Sequence, residues 1–209
     1  MNNYLIDLDK SKGRLEALSD GIFAITMTMM IIDLKIPDNS YHNLSPEELN
    51  NSLLTLLPAI KSYFLSFFIL GIFWLRQQIQ LSMVSIESKY SIIFYIFFLL
   101  LIGFVPFTVN LIKRYPDYHT PFILYSLNLL MISLILFFNV FLAYRKENFK
   151  KNTSLPDKGK KFLTYTGFTV IIFLTGFIIS FFDVEIAFYA IIVDPVYFFV
   201  YRRFRKAGD

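Results

Sequence analysis

The sequence predicts an all-α membrane protein: one domain, residues 1–209, with six transmembrane helices per chain and both termini in the cytosol. Three observations carry that prediction. The chain is 56% hydrophobic and only 17% charged, too little polar surface to cover a soluble domain of 209 residues. Its apolar residues fall in long blocks separated by short charged loops. Its Lys and Arg residues are distributed unevenly between alternate loops.

The first span, about residues 17–36, is the least apolar. Charged Arg14, Glu16 and Asp20 sit at one end and Asp33 and Lys35 at the other. The stretch between, Gly21 to Ile32, covers about 18 Å at ~1.5 Å per residue, short of a ~30 Å hydrocarbon core. The other spans fall at about 53–75, 91–112, 121–144, 162–182 and 184–201, each long enough to cross a bilayer. The last two are joined at Asp183 and read as a tight helical hairpin. Pro58, Pro106 and Pro195 fall inside spans, where neighbouring helices can re-satisfy the freed carbonyls. The first apolar stretch lacks a small-x-small cleavage site and is expected to stay as an anchor.

Orientation follows from the basic residues. Lys10, Lys12 and Arg14 precede the first span, and Arg76 and Lys89 are assigned to the second loop. Seven more lie between Arg145 and Lys161, and Arg202, Arg203, Arg205 and Lys206 form the tail. The opposite side has Lys113 and Arg114, with Lys35 and Lys61 near span ends. The positive-inside rule therefore puts both termini in the cytosol. The same placement explains the net charge of +4 without a nucleic-acid partner. With no cysteine, disulfides and thiolate metal sites are excluded. His42 and His119 lack a second ligand nearby, so no metal and no cofactor are expected. No phosphate loop, His-Glu-x-x-His or nucleophile motif points to an enzyme.

At 3.6 residues per turn, Ile25, Met29 and Ile32 share one narrow face of the first span, with Ile22, Thr28 and Ile36 at its margins. Asp20 points nearly opposite. A carboxylate at membrane depth is costly and normally pairs within the bundle. The first span is therefore expected to be buried among the other helices, with Asp20 held by a partner such as Arg14 or Arg76 and the face bearing Ile25 looking elsewhere, toward a symmetry axis. Two plainer readings stand beside this one. Ser19-Asp20-Gly21 can be an N-cap at the interface, and the Ile/Met stripe can be ordinary helix packing.

Arg14-x-x-x-Leu18-Ser19-Asp20-Gly21-Ile22-Phe23-Ala24-Ile25 resembles the R-x-x-x-F-S-D-G-x-x-A-I signature of the endo-lysosomal potassium channel family and its prokaryotic homologues, with Leu18 at the aromatic position. Ser62-Tyr63-x-x-Ser66-Phe67 and Gly71-Ile72-Phe73-Trp74 look like the family's second span, and Gly103-Phe104-Val105-Pro106-Phe107-Thr108 like its third. The resemblance implies a homotetramer in which the first helix of each chain lines a central pore. It also implies a hydrophobic ring at Ile25, continued by Met29 and Ile32, with the Thr28 hydroxyl at its edge. Like the family, the chain has no T-V-G-Y-G run to supply a carbonyl filter. Potassium is the expected permeant ion, a prokaryotic plasma membrane the expected location, and lipid the only other expected partner.

Asp33 is the candidate for the pore mouth, where it would concentrate cations, although an Asp33–Lys35 interfacial pair is equally consistent with the sequence. Where family members commonly carry His after the second-span Trp, this chain has Gln77 and Gln78, which cannot titrate. A pH response that depends on those histidines is therefore not expected. A structural polar network of Arg14, Ser19, Asp20, Trp74 and Gln77 remains. Asp194, beside Pro195, is a second intramembrane carboxylate, readable as a packing partner or as an ion relay. The alternative functions are a proton-coupled transporter using Asp20 and Asp194, and a membrane scaffold with no ion pathway. Against the transporter, no pair of broken spans is repeated along the chain.

Overall fold

The computed structural model describes residues 8–32, 45–83, 89–145 and 155–206. They form seven helices: α1 (Leu8–Ile32), α2 (Pro46–Thr55), α3 (Leu57–Met83), α4 (Lys89–Arg114), α5 (His119–Arg145), α6 (Leu155–Ile179) and α7 (Val184–Lys206). No strand occurs among the described residues. Five helices are long and apolar enough to cross a membrane: α1, α3, α4, α5 and α6, over residues 13–32, 57–82, 92–114, 119–145 and 159–179. The sixth expected span corresponds to α7, which carries Asp194 in its interior.

The second span differs from its expected bounds. Residues 53–55 belong to the short helix α2, and α3 starts only at Leu57 and runs on to Met83. Pro58 is the reason. Its missing N–H and fixed φ suit the first turn of a helix and oppose continuation of α2 through it. Pro58 therefore starts the span rather than lying inside it. Helix α2 opens with a capping box, in which the Ser45 hydroxyl accepts from the Glu48 amide and the Glu48 carboxylate accepts from the Ser45 amide. The bond that the carboxylate receives from the Ser45 backbone amide, and after it the interaction with the Ser45 hydroxyl, hold the Glu48 carboxyl below its ordinary value of 4.5.

The long helices close a ring: α3 packs on α4, α4 on α5, α5 on α6, α6 on α7, and α7 back on α3. The interior is apolar, built around Phe73, Phe98, Ile102, Leu129, Phe173 and Ile191. Several hydroxyl and amide groups between the helices are paired, as a medium without water demands. Ser66 and Tyr125 share a hydrogen bond of 3.0 Å, and the Ser126 hydroxyl donates to that of Ser180 at 3.3 Å. Asn128 Nδ2 donates to the Leu101 carbonyl at 3.2 Å, close to where Pro106 interrupts the α4 ladder. The hairpin between α6 and α7 is tight, as expected. Asp183 caps α7 through its carboxylate, which accepts from the Ile186 amide at 2.9 Å. Gly176 lets the two helices approach, since a Cβ there would lie 2.9 Å from Ile191 Cγ1.

Helix α1 stands outside this ring. It packs on α3 and α4 through Leu15, Ser19, Phe23, Thr26 and Met30, an i, i+4, i+8, i+11, i+15 stripe. The Ile25 face is open, as expected, but the burial of the rest of the span is narrower than expected. Only one side of α1 is covered by its own chain.

Candidate functional site

The uncovered side of α1 is the one that carries the Ile/Met stripe. Ile25 is 60% exposed, Met29 52% and Ile32 67%, whereas Phe23 and Met30 on the opposite side are 2% and 0% exposed. Thr28 lies on the same open face and donates its hydroxyl hydrogen back to the Ala24 and Ile25 carbonyls, each at 2.9 Å, so only its lone pairs look outward. An apolar groove of about 400 Å³ runs along α1 and α4, bounded by Ile22, Ile25, Met29, Ile96, Leu100 and Gly103. Asp33 lies outside the described residues, so its expected place at the pore mouth has no counterpart here.

Helix α1 is fastened at its middle and near its end. At the middle, the Ser19 hydroxyl donates to Gln77 Oε1 at 2.7 Å. The Asp20 carboxylate accepts from Trp74 Nε1 at 2.7 Å and from Gln78 Nε2 at 2.9 Å, both at Oδ1. Charge-assisted bonds of this kind are the stronger class. Towards its end, Lys113 Nζ donates to the Met30 carbonyl at 3.2 Å. A cation there satisfies a last-turn carbonyl and suits the negative end of the helix dipole. These contacts place the end of α1 beside the end of α4, so the two helices run parallel, while α3 runs against both.

Four of the five residues expected in the polar network are thus brought together: Ser19, Asp20, Trp74 and Gln77. Arg14 is exposed and bonds to none of them among the described residues. Neither Arg14 nor Arg76 holds Asp20; the indole and the Gln78 amide do, and Gln78 was not anticipated. Adjacent residues on a helix point about 100° apart, which is why Gln77 reaches Ser19 while Gln78 reaches Asp20.

Arg76 is engaged elsewhere, and its assignment to a loop is also corrected. It lies within α3, fully buried, and grips Asp194 of α7 with both arms of the guanidinium: Nη1 to Oδ2 at 3.0 Å and Nη2 to Oδ1 at 2.8 Å. Its Nε donates to the Tyr165 hydroxyl of α6 at 2.7 Å. The rings of Tyr165, Phe73 and Phe198 lie 4.9, 5.7 and 5.8 Å from the guanidinium carbon. The planar fork matches the carboxylate, and the aromatic faces replace part of the lost hydration. Ending the second span at residue 75 hides this pair from the sequence; a span extended by one residue puts a charge at membrane depth in need of a partner, as Asp194 is. A single turn of α3, Trp74 to Gln78, therefore reaches α1 on one side and α6 and α7 on the other.

Residues 14–106 match the family described as endosomal/lysosomal potassium channel TMEM175. A protein named potassium channel from Chryseobacterium sp. (strain P1-3) is 28% identical over 180 residues, covering 85% of this chain and 86% of the relative. Another named potassium channel, from Chamaesiphon minutus (strain ATCC 27169 / PCC 6605), is 31% identical over 103 residues, about half of each chain. The crystal structure of a lysosomal potassium-selective channel TMEM175 homologue from Chamaesiphon minutus shares the fold, with a TM-score of 0.79, over 91% of this chain and 97% of that one at 24% identity. The resemblance read from Arg14 to Ile25 is borne out by the family match.

Proposed function

We propose that this TMEM175-like chain is one subunit of a homotetrameric potassium channel, with α1 of each copy lining a shared central pore. The observation that carries the reading is the position of α1: fastened outside a closed five-helix ring, with Ile25, Met29 and Ile32 uncovered. The ring of one chain is filled with side chains, so an ion pathway has to lie between chains. Closed symmetric assembly would turn the open faces of α1 toward one axis and cover the groove along α4. In this reading α7 is the sixth span, both termini are cytosolic, and the chain sits in the plasma membrane. Discounting the buried Arg76, fifteen of the 20 Lys and Arg residues still fall on the cytosolic side.

The filter in this reading is a ring of Ile25 side chains, with Met29 and Ile32 above it and the Thr28 oxygens at its edge. An apolar constriction excludes ions by dewetting and by the cost of removing their hydration shell. Potassium is larger and more weakly hydrated than sodium, so it crosses such a ring at lower cost. The resulting preference is more modest than that of a carbonyl filter. Asp33, just past α1, would gather cations at the outer mouth. Ser19, Asp20, Trp74 and Gln77 hold the helix and do not line the path.

The proton-coupled transporter is less well supported. Both oxygens of Asp194 are taken by Arg76, and Asp20 is bonded by two donors. A carrier carboxylate has to be free to exchange its proton. Liposomes holding the purified protein test the choice, with imposed potassium and then sodium gradients. Passive, electrogenic flux that is faster for potassium is expected. Saturable exchange driven by a pH gradient would refute the channel reading, and so would sealed liposomes containing protein shown to be folded and tetrameric.

A further inference from the structure

Beside the Ser19–Gln77 bond lies a second group of polar atoms that pore formation does not use. Gln77, Gln80 and Tyr95 are 0%, 3% and 5% exposed. Gln77 Nε2, Gln80 Oε1 and the Tyr95 hydroxyl have no hydrogen-bond partner among the described residues. Gln77 and Gln80 stand one turn apart on α3. The Gln77 amide lies beside the Tyr95 hydroxyl of α4, but off hydrogen-bond geometry. Leu15 and Leu81 pack against the Tyr95 ring and wall the group on the apolar side. Three polar groups buried at one helix junction are costly to leave unmade, and more so in a membrane, where lipid offers nothing in exchange.

We propose that Gln77, Gln80 and Tyr95 form a buried hydration site holding an ordered water that ties α3 to α4 behind α1. The donor and acceptor inventory selects water over an ion. Gln77 Nε2 can only donate, Gln80 Oε1 can only accept, and a phenol hydroxyl does both. A cation would be repelled by the amide N–H and an anion by the amide oxygen. One water accepts from Gln77, donates to Gln80, and exchanges its remaining bond with Tyr95. Three bonds is the usual complement of a buried water.

The position allows water to enter. Gln80 is in the last turn of α3, which ends at Met83, and Tyr95 is in the second turn of α4, which starts at Lys89. The site is therefore near one end of the bundle and not at its midplane. It also adjoins the α1 anchor, because the amide that accepts from Ser19 is the one that turns its other atom to the water. Water held here completes the bonding of Gln77 and so fixes the inner seat of α1. The site stands whether or not the protein conducts potassium.

The test is a map of the wild-type protein in lipid nanodiscs, at a resolution that shows ordered water. A peak within ~3.2 Å of Gln77, Gln80 and Tyr95 is expected. Direct bonds among the three side chains with no peak between them would overturn the proposal. A peak that gains anomalous signal when rubidium replaces potassium would also overturn it, since the occupant would be a cation. Tyr95→Phe and Gln80→Met supply an independent measurement. If both reach one water, the melting shift of the double variant is smaller than the sum of the single shifts. Strict additivity of the two would count against the shared site.

Discussion

Asp194→Asn removes the countercharge of Arg76 while keeping the side-chain volume. The guanidinium would remain fully buried, with the Tyr165 hydroxyl, three aromatic faces and a neutral amide in place of a carboxylate. Removing one partner of a buried ion pair costs about 3–5 kcal/mol, because the other charge stays desolvated. For a protein of this size, 1 kcal/mol shifts the melting temperature by about 2–4 °C, so the expected fall is roughly 6–20 °C. Replacing both members, Arg76→Met with Asp194→Leu, removes the stranded charge and should recover most of that loss. The assay is thermal unfolding in detergent, followed by the emission of Trp74, the only tryptophan. A single variant that melts within a degree or two of wild type would refute the reasoning. A double variant no better than either single would refute it as well.

Other outcomes follow from the same structure. If Ile25 forms the proposed constriction, Ile25→Asn should hydrate it and bring potassium and sodium permeabilities together; an unchanged reversal potential under bi-ionic conditions would refute that role. Asp20→Asn weakens the bonds from Trp74 and Gln78 and should cost about 1.5–3 kcal/mol, with a changed Trp74 emission but unchanged ion preference in the molecules that assemble. Gly176→Ala drives a Cβ against Ile191 Cγ1 and should destabilise by about 1–3 kcal/mol; Ile191→Ala removes that γ carbon, so the double variant should lose less than the sum of the two singles in a denaturation series. The depressed Glu48 carboxyl means that the α2 capping box is complete above about pH 4.5 and lost as pH falls through the folded-state value. Amide exchange at Ser45, Glu48 and Leu49, corrected for intrinsic rates, should accelerate on acidification; constant protection would contradict the sign.

The long apolar blocks and the 3.6-residue spacing of α1 were readable because hydropathy and periodicity are local properties. They place Ile25, Met29 and Ile32 on one face without any knowledge of the partners. Local reading failed where the deciding contact was distant or a single residue changed the meaning of a run. Leu53 and Leu54 look continuous with the span after them, yet Pro58 separates them into α2. Arg76 looks like a loop residue until Asp194, 118 positions later, supplies its counterion. The partners of Asp20 turned on a 100° difference between Gln77 and Gln78, which no composition argument resolves. The burial of α1 was overestimated for another reason: a helix that is not greasy enough for lipid need not be covered by its own chain on every face but one.

The distances along the chain between bonded partners also set an order of assembly during synthesis. Asp20 waits 54 residues for Trp74 and 58 for Gln78, while Arg76 waits 118 for Asp194. At ~5–20 residues per second, the first interval is about 3–12 seconds and the second about 6–24 seconds. For that time Arg76 is without the carboxylate that pairs with it in the folded chain. The ring of helices therefore closes from its last member, when α7 delivers Asp194 to α3. A nascent chain stopped short of residue 194 carries an unpaired guanidinium at membrane depth, which marks it as unfinished.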